Sequence, residues 1–432
     1  MLETSFILLL SHVLLYIFLP SVAGILFIFL FFWTKIKGLE LLIVSWFFWI
    51  AAISYFMYNI QFFRFGIGVH EYLLLLFILF FACLIRGVRL KENIWEYVRC
   101  LKIQFSIWFL LKQSFNLPKC QQYISAFFLF YISMFLLVWF LYNTSFPTYF
   151  DDTFWNWNLA AINIFFDGGL LIFWEQTEIL WYGWRINYPI YISIFKWVVW
   201  NFAWGWYDSY QNLFQYFSFL FFIIFVLHIS YIRTKNFFFA LLPAFIVCWM
   251  SLIFFHIIDG YMDITCWIYS VFTIYYLYKF LQKTDIVYFF LAALFGILLM
   301  NIKNDAFVVY LPWIIIALFV YLFITKDIKR YLGILFNKKN IIPSSFLFLF
   351  FFLPPVFVRF YHGFALNPQA NDGFESKSLF HPEVFWVMDD IFLKADNYNV
   401  ILLFVAIIFL YQKKNDTRFI LFAFLAIFCI FC

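Results

Sequence analysis

The chain is a succession of long apolar runs separated by short basic loops. A helix needs about 20 apolar residues to cross the hydrocarbon of a bilayer. Runs of roughly that size predict spans at 6–33, 41–63, 67–85, 123–143, 209–232, 237–257, 264–281, 286–300, 306–324, 341–361, 400–411 and 419–432. The last two are short, and the ending FCIFC falls inside an apolar run, so the final helix reads as cut short. The first run carries Pro20, follows no basic stretch and precedes Lys35 and Lys37, which reads as a retained helix and not a cleaved leader. The pattern predicts an all-α, polytopic transmembrane bundle of about 12 spans.

Lys and Arg collect on the cytoplasmic side of membrane proteins. Here they sit in 34–40, 86–122, 233–236, 282–285, 325–340 and 412–418, and with all six loops in the cytoplasm the spans alternate without a violation. The run 190–206 is the exception. Counting it as a span would invert every later basic loop. It therefore reads as an interfacial helix on the outer leaflet, with Trp197, Trp200, Trp204 and Trp206 at the headgroup boundary and Lys196 snorkelling out of it. The outer face then holds 144–208, a large first loop with interfacial helices, and also 258–263, 301–305 and 362–399. Residues 1–122 read as accessory helices with a basic loop, 123–324 as a core, and 325–432 as C-terminal helices carrying the outer loop 362–399.

Composition sharpens this. The sequence is 66% hydrophobic and 12% charged, against about 25% charged in average soluble proteins. A water-exposed surface cannot be built from that mixture, whereas a lipid-exposed one can. The net charge of +5 is small and concentrated in a few loops, which suits membrane orientation and not nucleic-acid binding. The 71 Phe read as codon bias. The seven Cys form no CxxC pair and no zinc-like spacing with His, so they read as inert membrane cysteines.

Ionisable residues near membrane depth are costly. They cluster at three predicted outer positions: Asp151-Asp152 in PTYFDDTFWNWNLAA, Asp259 and Asp263 in HIIDGYMDIT, and Lys303 with Asp305 in LLMNIKNDAF. Acids and a cation on one face suit a reaction with a phosphate leaving group. A carboxylate deprotonates an acceptor hydroxyl, and a Lys or Arg stabilises the departing charge. Each residue also has an ordinary reading: a solvated loop pair for Asp151-Asp152, a helix cap near Thr265 for Asp263, and headgroup contact for Lys303. His256 and His362 read as interfacial structural residues, and Asp167 before Gly168-Gly169 as a turn residue.

These segments resemble the GT-C superfamily of integral-membrane glycosyltransferases, above all bacterial members that use polyprenyl-phosphate sugars. In those, the first outer loop reads D-x-W-x-x-W-x-x-K-A, followed by a Tyr-Pro element. Asp152, Phe154, Trp157 and Ala161 keep that spacing here, and Gly168-Gly169 and Tyr188-Pro189 follow. Gly260, Tyr261 and Asp263 resemble a later G-Y-A-D-L-P turn, and Lys303-Asn304-Asp305 a K-N-E-G turn. Ala160 stands where the family has Lys, Thr265 where it has Pro, and Asp305-Ala306 where it has Glu-Gly.

The likeness covers about 123–324 and implies an inverting transferase. Its donor would be a polyprenyl-phosphate-linked sugar. Its acceptor would be an envelope glycan, lipid or protein, and its site would lie on the outer face of a bacterial cytoplasmic membrane. It implies Asp152, with Asp151 beside it, as the catalytic carboxylate. It implies Asp263, with Asp259, as the acceptor-orienting or metal-binding pair, and Lys303, Arg185 and Arg359 as contacts to the donor phosphate. It names no definite cofactor and leaves a divalent metal open. Two other classes compete. A transporter or flippase of a lipid-linked sugar places charges at mid-membrane. An O-antigen ligase or polymerase relies on late-loop arginines and His, and 362–399 holds His381 but no Arg.

Overall fold

The computed structural model describes residues 2–32, 35–62, 69–89, 117–146, 158–166, 191–203, 207–250, 262–302, 311–324, 326–354 and 356–357. Among these residues every regular element is a helix. Two compact units are formed: Met1–Trp184 with Ile190–Tyr261, and Arg185–Pro189 with Met262–Cys432.

The first unit holds α1 (Leu2–Phe32), α2 (Gly38–Phe62), α3 (Val69–Arg89), α4 (Lys119–Ser145), α5 (Leu159–Phe166), α6 (Tyr191–Ala203), a short 3-10 turn (Asp208–Tyr210), α7 (Leu213–Thr234) and α8 (Phe237–Trp249). Among the described residues three helices are long and apolar enough to cross a membrane: α1 over Phe6–Leu30, α4 and α7. Shorter apolar stretches lie in α2, α3, α6 and α8. By length and composition this is an integral membrane protein. The expected spans 400–411 and 419–432 lie outside the described residues.

Ring contacts give the helix directions. His12 meets Tyr210 and Tyr16 meets Phe217, so α1 runs parallel to α7. Phe135 meets Phe219 and Phe140 meets Tyr216, so α4 runs antiparallel to it. The α7–α8 turn is sharp. Lys235 adopts φ 53° and donates its N–H to Tyr231 O, which closes α7, and Asn236 Oδ1 accepts from the N–H of Phe238 and Phe239 to open α8. With these directions Lys35, Lys37, Lys119, Arg233 and Lys235 gather at one end of the unit. That is the common side their charges predict.

The junction of α1, α2 and α7 is built around Pro20. Proline has no N–H, so the Tyr16 carbonyl four residues earlier loses its helical donor. In an apolar interior such an oxygen must be satisfied from elsewhere. The indole of Trp46 on α2 supplies the donor, Nε1 to Tyr16 O at 2.7 Å. One turn further along α1, Gly24 lets the two backbones meet. A Cβ built there would lie 2.0 Å from Ser45 O. Trp46 is wholly buried and its ring stacks on Phe214 and packs against Phe221 of α7.

The second unit holds α9 (Met262–Lys283), α10 (Ile286–Met300), α11 (Leu311–Ile324), α12 (Ile328–Leu335) and α13 (Lys338–Leu347). The helices α9 and α10 form an antiparallel hairpin, with Tyr269 against Phe295 and Tyr276 against Tyr288. Asp285 caps α10 by accepting from Val287 N. Tyr331 on α12 donates its hydroxyl to Leu281 O at 2.8 Å, which fixes the basic α12 beside the Lys283 end of the hairpin. The span expected at 341–361 is not one regular helix. Past α13 the turn widens into a π segment, Phe348–Phe352, just before Pro354-Pro355 removes the next donors.

Trp46→Phe is expected to destabilise the protein by about 1–3 kcal/mol, the cost of an unsatisfied buried carbonyl. In a Pro20→Ala background, where residue 20 again donates to Tyr16 O, most of that cost should vanish. Heat-induced unfolding of the two singles and the double measures the coupling, and additive effects would remove the Trp46–Tyr16 bond from the account.

Candidate functional site

The predicted site residues fall mostly outside what the structure describes. Asp151, Asp152, Arg185, Asp259, Lys303 and Arg359 lie outside the described residues, as do Asp305, His256 and His362. Asp263 is described as backbone only. It is the second residue of α9, inside the first turn and not a cap ahead of Thr265, and there a carboxylate is favoured by the helix dipole. From Asp263 to Lys283 the helix rises roughly 30 Å, about one hydrocarbon thickness.

The hairpin register carries this further. Tyr269 faces Phe295 and Tyr276 faces Tyr288, so residue 263 stands level with residue 301. Asn301 ends α10, and Ile302, the residue before Lys303, is described at that same end. The end is also polar where its surroundings are not. Thr265 and Asn301 are buried, and among the described residues Thr265 Oγ1 and Asn301 Oδ1 have no hydrogen-bond partner. The unit also has a half-open apolar pocket of about 470 Å³ between α9, α10, α11, α13 and the π segment, lined by Leu277, Ala293, Gly296, Ile314 and Phe348 among others.

The first unit holds a polar cluster that the sequence reading passed over. Two expectations are overturned here. Lys196 does not snorkel, because its side chain is 0% exposed. Nor does α6 present Trp197 and Trp200 to headgroups, because both are buried in protein, with Phe195 packed on Tyr16 of α1 and Phe214 of α7. A Trp-rich amphiphilic run is equally suited to a membrane boundary and to an aromatic core, and here neighbouring helices cover it.

The Lys196 Nζ donates to Asn158 Oδ1 at 2.6 Å, joining α6 to the residue that opens α5. Asn158 is itself wholly buried. One turn along α6 from Lys196, the Trp200 ring meets His12 of α1 at 4.9 Å, and the Tyr210 ring lies 5.1 Å from the same imidazole. His12 Nδ1 lies 2.8 Å from Leu8 O, and among the described residues its Nε2 has no hydrogen-bond partner. Signals for both residues were present in the sequence. A lone His in SFILLLSHVLLYIF and a lone Lys in IYISIFKWVVW are ionisable groups inside apolar runs, and such groups are rare without a purpose. Among the described residues, no group of three or more His, Cys, Asp or Glu is placed to hold a metal ion.

Comparison with known proteins finds no matching family model, no matching curated protein and no matching solved structure.

Burial pushes the Lys196 amine down to about 7, from an ordinary value of 10.5. The folded state therefore favours the neutral amine. The stability this withholds from the charged form is fully recovered above pH 10.5 and is lost as pH falls toward 7. Relative to Lys196→Met, the wild-type protein should gain up to about 1.4 kcal/mol per pH unit as pH rises through that window. Parallel melting profiles of the two proteins from pH 7 to pH 10 test this, and a constant difference between them would contradict it.

Proposed function

We propose that the protein is an integral-membrane glycosyltransferase of GT-C type, a bundle of about a dozen spans that moves a sugar from a polyprenyl-phosphate carrier to an envelope acceptor on the non-cytoplasmic face. The observation that supports it most is the ordered set of segments around Asp152, Asp263 and Lys303. The helix carrying Asp263 and the helix leading to Lys303 end at one level, about 30 Å from their basic turn.

In this reading the Asp152 carboxylate takes the proton from the acceptor hydroxyl as its oxygen attacks the anomeric carbon. The carbon–oxygen bond to the carrier breaks, and its electron pair leaves on polyprenyl phosphate. Attack from the face opposite the phosphate inverts the anomeric centre. Phosphate leaves without a general acid, so one carboxylate suffices. Asp151 adjusts the basicity of its neighbour, Asp263 with Asp259 orients the acceptor, and Lys303, Arg185 and Arg359 neutralise the departing phosphate. No step needs a metal.

The competing reading is transport of an intact lipid-linked sugar, which calls for ionisable groups at mid-membrane; Lys196 and His12 are buried in a helix bundle but stand toward the end of it away from the basic turns. Proteoliposomes loaded with a labelled lipid-linked sugar separate the two. Transfer releases free polyprenyl phosphate and labels the acceptor, whereas transport moves the donor uncleaved. For transfer, Asp152→Asn should lower the rate about 10²–10⁴-fold with membrane insertion intact. An unchanged rate removes Asp152 from the mechanism.

A further inference from the structure

The α9–α10 hairpin turns at Lys283 beside a strongly basic corner. The segment 325–340 holds five cations, Lys326, Lys329, Arg330, Lys338 and Lys339, and one acid, Asp327. Not every cation at this end is available to a partner. Lys279 lies over the rings of Tyr275, Tyr276 and Tyr288, 4.6–5.7 Å from their centroids. Lys283 lies 5.1 Å from the Tyr288 centroid and donates to its hydroxyl at 3.3 Å. Those two charges are held by the hairpin itself. Lys326, Lys329, Arg330 and Lys339 are instead exposed.

The helix that carries Lys329 and Arg330 is amphipathic. At 3.6 residues per turn, Ile328, Tyr331, Leu332 and Leu335 of α12 fall within about 100° of arc, and Lys329 and Arg330 fall outside it. The hairpin covers only part of that apolar stripe. Tyr331 is buried, with its ring 5.4 Å from Phe280 and its hydroxyl on Leu281 O. Leu332, beside it on the stripe, is 41% exposed, and Phe336, just past the helix, is 71% exposed. Two asparagines set the corner into α13. Asn340 Nδ2 donates to Ile334 O at 2.7 Å, and Asn337 Oδ1 accepts from Lys339 N at 3.2 Å. One turn beyond Lys339, Ile342 is 77% exposed.

Cations alone would suit an acidic protein as well as an acidic lipid. The apolar residues decide between them. Leu332, Phe336, Ile341 and Ile342 stand exposed among the cations. Helices that lie in a membrane interface have this composition, with apolar side chains at the acyl boundary and Lys or Arg at the headgroups. The exposed apolar surface also continues away from the corner through Phe348, Leu349 and Leu353, along residues 341–357, which include no charged residue. A surface that passes from basic to wholly apolar matches one leaflet read from headgroup to acyl chain.

We infer that α12 and the start of α13 form a docking surface for the acidic phospholipid headgroups of the leaflet at this basic end. Leu332, Phe336 and Ile342 enter the acyl boundary, and Lys329, Arg330 and Lys339 meet the phosphates. Acidic lipid then holds the corner between α11 and α13 against the end of the hairpin. The surface is independent of sugar transfer, in which no residue of this corner has a role.

The test reads amide hydrogen exchange over residues 326–345 of the full-length protein. The protein is placed in nanodiscs of phosphatidylcholine alone or of phosphatidylcholine mixed with phosphatidylglycerol. Each Lys or Arg near an anionic surface contributes about a factor of five, so phosphatidylglycerol should slow exchange about tenfold or more in the wild-type protein. The triple variant Lys329→Gln, Arg330→Gln, Lys339→Gln should exchange alike in both discs. Equal exchange of the wild-type protein in the two discs overturns the inference, and so does a variant that keeps the full effect. Poly-glutamate added to phosphatidylcholine discs covers the other partner class. Protection by it, with none from phosphatidylglycerol, assigns the surface to an acidic protein and likewise overturns the lipid. Should the triple variant not fold, salt decides on the wild-type protein. Molar sodium chloride shortens the screening length to about 3 Å and should abolish the phosphatidylglycerol effect. An effect that survives it overturns the inference.

Discussion

Hydrocarbon offers a peptide group no hydrogen-bond partner, so a chain that lives in it must satisfy every carbonyl from within. Pro20 shows how strictly this holds. One missing N–H in α1 leaves the Tyr16 oxygen without its helical donor, and an indole on another helix fills the gap at 2.7 Å. That bond needs α2 close to α1, which the bare Cα of Gly24 against Ser45 permits. It also needs Trp46 held upright, which Phe214 and Phe221 accomplish. Three helices are thereby locked by a defect in one of them, and the polar cluster around Lys196 and His12 sits on the same scaffold, since Tyr16 also packs on Phe195.

The way the helices associate follows from the same solvent. Lipid tails are as apolar as the side chains, so burial alone gives helices little reason to prefer one another. Small residues commonly solve this by close backbone approach, but the sequence has only 14 Gly against 71 Phe. Interlocking rings take over the task. Phe128 stacks on Phe245 at 4.2 Å between α4 and α8, and Phe272 stacks on Phe295 at 5.1 Å between α9 and α10. A Phe content that reads as codon bias in the sequence therefore has a structural use, whatever its origin.

Much of the helical layout was legible from hydropathy. The run 123–143 lies within Lys119–Ser145, 209–232 nearly coincides with Leu213–Thr234, and 286–300 coincides with Ile286–Met300. Length and apolarity suffice there because one solvent acts on the whole element. Charge placed the basic turns, and the helix directions in each unit bring those turns to one end. What failed was α6. Its aromatic and cationic residues have the composition of a headgroup-level helix, yet other helices bury them. Composition reports which solvent a segment tolerates, and it does not report whether lipid or protein surrounds it. The candidate acids were found by motif spacing, and of these the structure describes only the backbone position of Asp263.

The placement of charge explains why the two units share a plan. In each, the basic residues mark one end, and some of the buried polar groups stand about a bilayer thickness away: Lys196, Asn158 and His12 in the first, Thr265 and Asn301 in the second. A polar group buried at mid-helix must be satisfied by protein alone. At the far interface, headgroups, water and soluble substrates also offer partners, so the same burial costs less there and leaves hydrogen-bonding capacity for a ligand. Thr265 Oγ1, Asn301 Oδ1 and His12 Nε2, all buried and without partners among the described residues, are such capacity. A chain selected only to span lipid would have no reason to keep it, because an apolar side chain of similar volume fills each position without the desolvation cost.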